Sequence, residues 1–396
     1  MMPARRRRSA HDPGRVLRDL VVMLADGGDC VADLGVLRGQ PELFGEVAST
    51  RPPGGWWTPS RRSSCRGCGR RDGELVSRPG DEVPPSEIVL DFDATLVTAH
   101  SEKEGAAGNF KGGFGFHPLL CYLEASGEAL AGMPRAGSAG ANTAADHIGV
   151  LLAAGATARP GLGDGDAGPG RLRRSHARLH RRLARAGDPL LDQLRFTEPV
   201  REAILAMPED AWRPAISQDG EVRESEAVCE LRNLDLAAWP SGTRAICRRE
   251  LPHPGAQLTF TDHQGFRFQT FITDQQHPDI VALEVRHRAH ARVEDRIRCS
   301  MDTDLRSFPF HQFGANQVWL ELVFAAQALI AFFQRLCLVG EAQHWEPRRL
   351  RYRLLHTAAR LVRSGRRLIV KLQRGWRWTP LLCNAFRRLR TLPARA

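Results

Sequence analysis

The stretch "EIVLDFDATLVTA", residues 87 to 99, constrains the chain more than any other. Its β-branched and aromatic residues and its alternation predict a strand. Alternate side chains of a strand share a face. Val89, Asp91 and Asp93 therefore lie on one side, with Ile88, Leu90 and Phe92 on the other. Carboxylates projecting from such a strand are costly to desolvate unless they are paired or hold a metal. A turn-capping Asp pair at a strand end is the plainer alternative, but apolar residues on both flanks speak against it.

Further along, "GFHPLLCYLEA", the turn "SGE" and "ALAGMP" add two more strands on short connections, which predicts an antiparallel meander. "NTAADHIGVLLAAG" then reads as a helix capped by Asn142. Ahead of the meander, residues 13 to 48 carry two short amphipathic helices within a region, 1–49, that suits DNA binding; 50–85 is irregular and rich in Pro, Gly and Arg. The first part of the core spans 86–153, and 154–195 loses all period. A β-rich insertion follows over 196–278, with a hairpin around His263-Gln264-Gly265. A second core part covers 279–345, built on a long helix from about Asp279 to Asp302 and an apolar helix from Val318 to Leu338. A basic, amphipathic, helical region with "RRLIVKL" as a strand occupies 346–396.

The formal net charge is +11, which suits a polyanionic partner. Arginine supplies nearly all of it, a pattern that GC-rich coding also produces. Lysine occurs only at Lys103, Lys111 and Lys371. Cys65 and Cys68 form a CxxC pair with no second pair, and His100 and His117 are remote, so the thiols read as reduced and intracellular rather than as a zinc site. "MMPARRRR" has no apolar run behind it and is no secretory signal. The 318–338 stretch contains Glu321, Gln327, Gln334 and Arg335, which suits a buried core helix better than a membrane span.

Two chemistries suit Asp91 and Asp93. "IVLDFDATL" matches the D-x-D-x-T-L pattern of haloacid-dehalogenase phosphatases, with Asp91 as nucleophile and Asp93 as acid-base. That fold needs a parallel sheet, and a meander follows here. The other chemistry is two-metal phosphoryl transfer on nucleic acid, in which three carboxylates from distant parts of a chain converge on Mg²⁺ ions about 4 Å apart.

"DFDATLVTAHSEKEGAAGNFKGGFGFHPLLCYLEASGEALAG", "NTAADHI", "HPGAQLTFTD", "HARVEDRIR" and "NQVWLELV", in this order, resemble the group 1 DDE transposases of bacterial insertion sequences. The resemblance covers about 11–48, 86–150 and 196–396. It implies an α/β fold with an RNase H-like core interrupted by the β-rich insertion. It also implies DNA transposition by strand cleavage and strand transfer, Mg²⁺ or Mn²⁺, element-end and target duplex DNA as partners, and a homodimer in the DNA complex. The setting would be cytoplasmic, at the nucleoid, with no membrane.

By this resemblance Asp93 is the first catalytic and metal-binding acid, Asp91 is a neighbour placed to assist, and Glu294 is the third acid. Lys103, Lys111, Arg288, Arg292, Arg296 and Arg298 are the expected DNA-binding cations. The family's tyrosine, arginine and lysine places around the glutamate fall at His287, His290 and Met301, all departures from the pattern. Met301 cannot grip phosphate, and neutral His290 does so less well than Arg. Taken alone, Glu294 reads equally as a solvated helix residue paired with Arg298.

The second aspartate should end an apolar strand before "FTEPV". Asp164, Asp166, Asp188 and Asp192 are at hand, but none follows a recognisable strand. A shifted reading frame accounts for this. "RLRRSHAR", Arg171 to Arg178, can be written CGA CTC CGC CGG AGC CAC GCA CGA. Moved forward one base it encodes D-S-A-G-A-T-H, which resembles the missing motif. Thr50 to Arg61, moved by two bases, can encode P-T-A-W-R-V-V-D-S-I-A, a helix start. The expectation is a degenerate, frameshifted copy of low activity, with a non-catalytic DNA-binding remnant as the rival reading.

Overall fold

The computed structural model describes residues 12–48, 90–157 and 191–392, apart from 125, 141–142, 195, 238–241, 258, 260, 274, 276 and 290–291. Both stretches assigned to shifted frames lie almost wholly outside the described residues, as do Cys65, Cys68, Asn142, Asp164, Asp166, Asp188 and His290. The chain divides into two compact units. One comprises Met1–Ala141, Gly149–Gly163 and Val293–Ala396; the other comprises Asn142–Ile148 and Asp164–Arg292.

The first unit opens with α1 (Pro13–Asp26). The Asp12 carboxylate accepts from Arg15 N at 2.9 Å, Pro13 occupies the first turn, and Gly27 ends the helix at φ +103°. Leu20, Met23 and Leu24 form its buried stripe. Short helices α2 (Leu34–Arg38) and α3 (Pro41–Phe44) follow.

Six short strands come next: β1 (Leu90–Ala94), β2 (Val97–Thr98), β3 (Ala107–Gly108), β4 (Phe114–Phe116), β5 (Leu119–Leu123) and β6 (Ala129–Met133). They make two antiparallel sheets, ordered β1-β5-β6 and β2-β4-β3. The two long strands expected from the sequence are each broken, at Thr95 and at Pro118. Pro118 has no N–H to give the ladder, and its carbonyl accepts from Thr95 N at 3.2 Å. Gly115 is needed where β2 and β4 touch: a Cβ there would lie 2.1 Å from the Val97 carbonyl oxygen. The β1–β5 pairing is antiparallel, which is not the parallel sheet the phosphatase pattern requires.

Helices cover both faces of β1-β5-β6. Leu119, Cys121 and Ala131 pack on Val150 and Ala154 of α4 (Ala144–Thr157). The opposite face, with Leu120 and Tyr122, joins the main core of Trp319, Leu320, Val323 and Phe324. Those four belong to the long helix Phe313–Cys337. Gly132 permits the close fit, since a Cβ there would lie 2.7 Å from the Phe324 ring. That helix is long and apolar enough to cross a membrane, yet its buried side chains build this core.

The second unit is built on an antiparallel sheet of β7 (Leu191–Gln193), β8 (Arg213–Ile216), β9 (Val222–Leu231), β10 (Arg244–Glu250), β11 (Asp262–His263) and β12 (Phe266–Thr273). Its order is β11-β12-β10-β9-β8, with β7 also on β12. Gln264 and Gly265, both at positive φ, turn the β11–β12 hairpin. Val200 and Ile204 of α5 (Glu198–Leu205) cover one face; Ile280, Val281 and Leu283 of α6 (Ile280–Ala289) cover the other. Asp192 lies inside β7, opposite Ile272, so a short strand exists where the sequence suggested none.

Where one long helix is expected from about Asp279 to Asp302, helix is described over Ile280–Ala289 and Arg292–Ser300, with 290–291 between them outside the described residues. The chain passes from one unit to the other after Arg292, the first residue of α7 (Arg292–Ser300). A widened turn, Met301–Leu305, follows α7, with Asp304 at φ +70°. After α8, the helix Phe313–Cys337, and the single turn α9 (Pro347–Leu350), the C-terminal region is only partly helical. It forms a hairpin of β13 (Ala359–Ser364) and β14 (Arg367–Leu372) before α10 (Thr379–Thr391).

Candidate active site

Asp91 and Asp93 project from the β1 face that carries Tyr122 and Leu120, their respective partners on β5. Asp91 is buried and Asp93 half-buried, with Asp93 Oδ1 accepting from Ala94 N at 2.7 Å. Tyr122 beside them is fully enclosed. Burial, and then the nearby Asp93 charge, push its phenol well above the usual range, so it stays protonated and can donate.

The Tyr122 hydroxyl shares a 2.9 Å hydrogen bond with Ser300 Oγ at the end of α7. Ser300 Oγ in turn donates to Gln327 Oε1 on α8, and Gln327 Nε2 donates to Arg296 O at 3.3 Å. This buried chain ties the α7 helix to the strand opposite Asp91. Glu294 lies six residues before Ser300 on α7, about 9 Å along its axis. It is exposed. Glu294 and Arg298 do not make the surface pair that a plain solvated helix would suggest. Arg298 bridges instead to Asp295 and Glu346, each at 2.9 Å.

Sequence reasoning missed Tyr122, Ser300 and Gln327. The available signal was register: Tyr122 falls opposite Asp91 once β1 and β5 are aligned. Removing the Tyr122 hydroxyl (Tyr122→Phe) leaves Ser300 bonded to Gln327, so the loss is one net hydrogen bond. We expect a destabilisation of about 1 kcal/mol, read from the midpoint of urea unfolding at unchanged slope.

The expected DNA-binding cations are engaged to different degrees. Lys103 is half-buried and donates to the Phe308 carbonyl, and burial lowers its pKa; it is directed into the protein. Arg288 is held by Glu284 at 2.5 Å and by Ile216 O at 2.7 Å, within the second unit. Arg292 donates to Gln218, and Arg296 packs over Gly127. Lys111 is exposed, 5.7 Å from the centre of the Phe110 ring. His287, at the place where the resemblance expects a tyrosine, stacks on Phe271 with centroids 4.0 Å apart. Met301 packs against the core.

Among the described residues, the group of three acidic, His or Cys side chains with ligand atoms within 4.8 Å of one another is Asp29, Cys30 and Asp33. There the Asp33 carboxylate accepts from Asp29 N and Cys30 N, which accounts for the cluster as a loop-closing motif. Asp91, Asp93 and Glu294 do not close into such a group. Their chemistry suits a hard divalent ion.

A family model described as transposase DDE domain group 1 matches residues 1–394. No curated protein matches the chain.

Proposed function

Because the chain belongs to the transposase DDE domain group 1 family, we propose that it derives from an enzyme that cuts element ends and joins them to target DNA on an RNase H-like core. The observation that carries this reading is the antiparallel pairing of the Asp93 strand with β5, together with the Tyr122–Ser300 bond that fixes the Glu294 helix on the same face. Three carboxylates are required. Asp93 and Glu294 are two of them, Asp91 assists, and the second of the series belongs to the stretch 154–195. These residues would hold Mg²⁺ or Mn²⁺, which would supply charge neutralisation at the scissile phosphate and activation of the attacking oxygen.

The chain's own residues hold and orient. Asp93 projects from a rigid strand, and the Tyr122–Ser300–Gln327 chain fixes the approach of α7. Water attacks phosphorus, the P–O3′ bond breaks, and the element end is left as a 3′-hydroxyl. That hydroxyl then attacks a target phosphodiester, forming a new P–O bond and releasing the target's own 3′-oxygen. The partners are duplex DNA at element ends and target, and a second copy of this chain in the DNA complex, at the nucleoid.

A second reading, a DNA-binding remnant without catalysis, is favoured by the failure of Asp91, Asp93 and Glu294 to close into a ligand group. Ion binding separates the two. We expect the chain to bind Mn²⁺ weakly, and Asp93→Asn and Glu294→Gln each to abolish that binding in an electron paramagnetic resonance titration. Binding unaffected by both substitutions would remove these residues from the site.

A further inference from the structure

The positive charge of this protein is not spread along it. Residues 347 to 396 hold fourteen arginines and one lysine and no Asp or Glu. Set against 56 basic and 45 acidic residues overall, the first 346 residues hold 41 basic and 45 acidic groups and are net negative by four. The β13–β14 hairpin is the exposed element at the centre of this segment. Arg360, Arg363, Arg366, Arg367, Lys371 and Arg374 are all exposed, and none forms an ion pair among the described residues. Arginines of the second unit's sheet behave differently: Arg244 pairs with Glu230 at 2.6 Å, Arg248 with Glu284 at 3.3 Å and Arg267 with Asp262 at 2.8 Å. Their charge is already answered inside the protein.

The hairpin is also firmly presented. Its two-residue loop places Gly365 at φ +58°, as a type II′ turn requires. At its root Gln373 N donates to Ala358 O at 3.2 Å, and Trp376 Nε1 donates to Arg353 O at 2.7 Å. The Arg353 guanidinium lies 4.5 Å from both the Trp345 and Trp378 ring centres. One face of the ribbon sets Arg360 against Lys371 and Ser364 against Arg367, on either side of the Val362–Ile369 pair. Arg363 extends from the other face. Two strands lie about 4.8 Å apart, and a two-stranded ribbon fits the major groove, which is about 12 Å wide.

We propose that this hairpin is a duplex-DNA-binding ribbon, seated along a groove with its cations on the phosphates of both walls. The proposal rests on the DNA-handling function given above and assigns the grip to an element remote in sequence from the carboxylates. The exposed Ile369, on the same face as Arg360, Lys371 and Arg367, would lie against the groove floor.

The test uses the full chain, without divalent ion, binding a generic 30-base-pair duplex over a range of salt. One variant carries Arg363→Gln, Arg366→Gln and Arg367→Gln. A charge-matched control carries Arg213→Gln, Arg232→Gln and Arg286→Gln, all exposed in the second unit. The hairpin variant should lower the slope of log K against log salt by about two to three units, at roughly 0.9 for each phosphate no longer neutralised. It should also weaken binding at least tenfold at physiological salt, with replacement by Lys restoring most of the affinity. The control should change the slope by less than one. Equal losses in both variants, no loss in the hairpin variant, or no DNA binding by the unaltered chain would each overturn the proposal. Tighter binding to anionic lipid vesicles than to DNA would assign the ribbon to a membrane surface instead. Because cleavage plays no part in the readout, a chain that binds through the hairpin and cuts nothing leaves this inference intact and counts only against the catalytic reading.

Discussion

Re-reading residues 150–195 in the shifted frame should raise Mg²⁺-dependent cleavage of DNA carrying element ends by at least about a hundredfold. Removing one preorganised group that meets transition-state charge typically costs 10²–10³ in rate, and on the proposed reading the group to be restored is a metal ligand. Asp93 and Glu294, two of the three acids on the proposed reading, lie in one unit, with α7 tied to β5 through Ser300 and Tyr122. The intervening acid has no recognisable sequence context: moving the reading frame by one base at Arg171 recreates an Asp-Ser step where the chain now reads "RLRRSHAR". The chain as it stands should show only background cleavage, and Asp93→Ala in the re-read chain should return it there. Cleavage by the unaltered chain that Asp93→Ala abolishes would refute the idea. Asp164, Asp166, Asp188 or Asp192 would then supply the second acid. Since His290 and Met301 also depart from the family pattern, a third version adds His290→Arg and Met301→Lys. If that version is silent too, the loss lies outside the second acid and a shifted frame is not its cause.

How far the chain could be read in advance varies from element to element. The β1-β5-β6 meander was legible because period-two alternation, Gly127 and short connections all agree. The break of each long strand was foreshadowed only by Pro118. The passage from one compact unit to the other after Arg292 was not legible, because "VRHRAHARVEDRIRCSM" keeps a helical period across that point. Half of the C-terminal hairpin was visible in "RRLIVKL"; its partner "ARLVRS" is too polar to announce a strand. Positioning side chains fared worst. Tyr122 and Ser300 meet across 178 residues, and only tertiary packing selects that partnership. The partners of Lys103 and Arg288 were not legible, because charge shows in a sequence while the carbonyl or carboxylate that engages it does not.

Stability should fall as pH rises from about 4 to about 7, through Asp304. This residue closes the widened turn after α7 and is buried at φ +70°, a conformation Asp and Asn tolerate better than most residues. Burial, and then the Asp29 charge, push its pKa up to about 7, against opposing hydrogen bonds from Trp319 Nε1 and Ser307 Oγ and the nearby Arg306 charge. The unfolded chain ionises it near the ordinary carboxylate value of about 3.9. Between the two values the folded state holds a proton that the unfolded state has released. The contribution is therefore fully present below about pH 4 and gone above about pH 7. Partial access of water and the two hydrogen bonds reduce the full linkage value, so we expect about 2 kcal/mol lost between pH 5 and pH 8. Asp304→Asn keeps an acceptor for Trp319 and tolerates the backbone but cannot ionise. Comparing urea unfolding of the two proteins at each pH cancels the other titrating groups. The variant should therefore gain on the wild type by that amount as pH rises. A constant difference across the range would mean that the Asp304 carboxyl is ionised in the folded protein throughout, and that the Trp319 indole holds this turn against a charge.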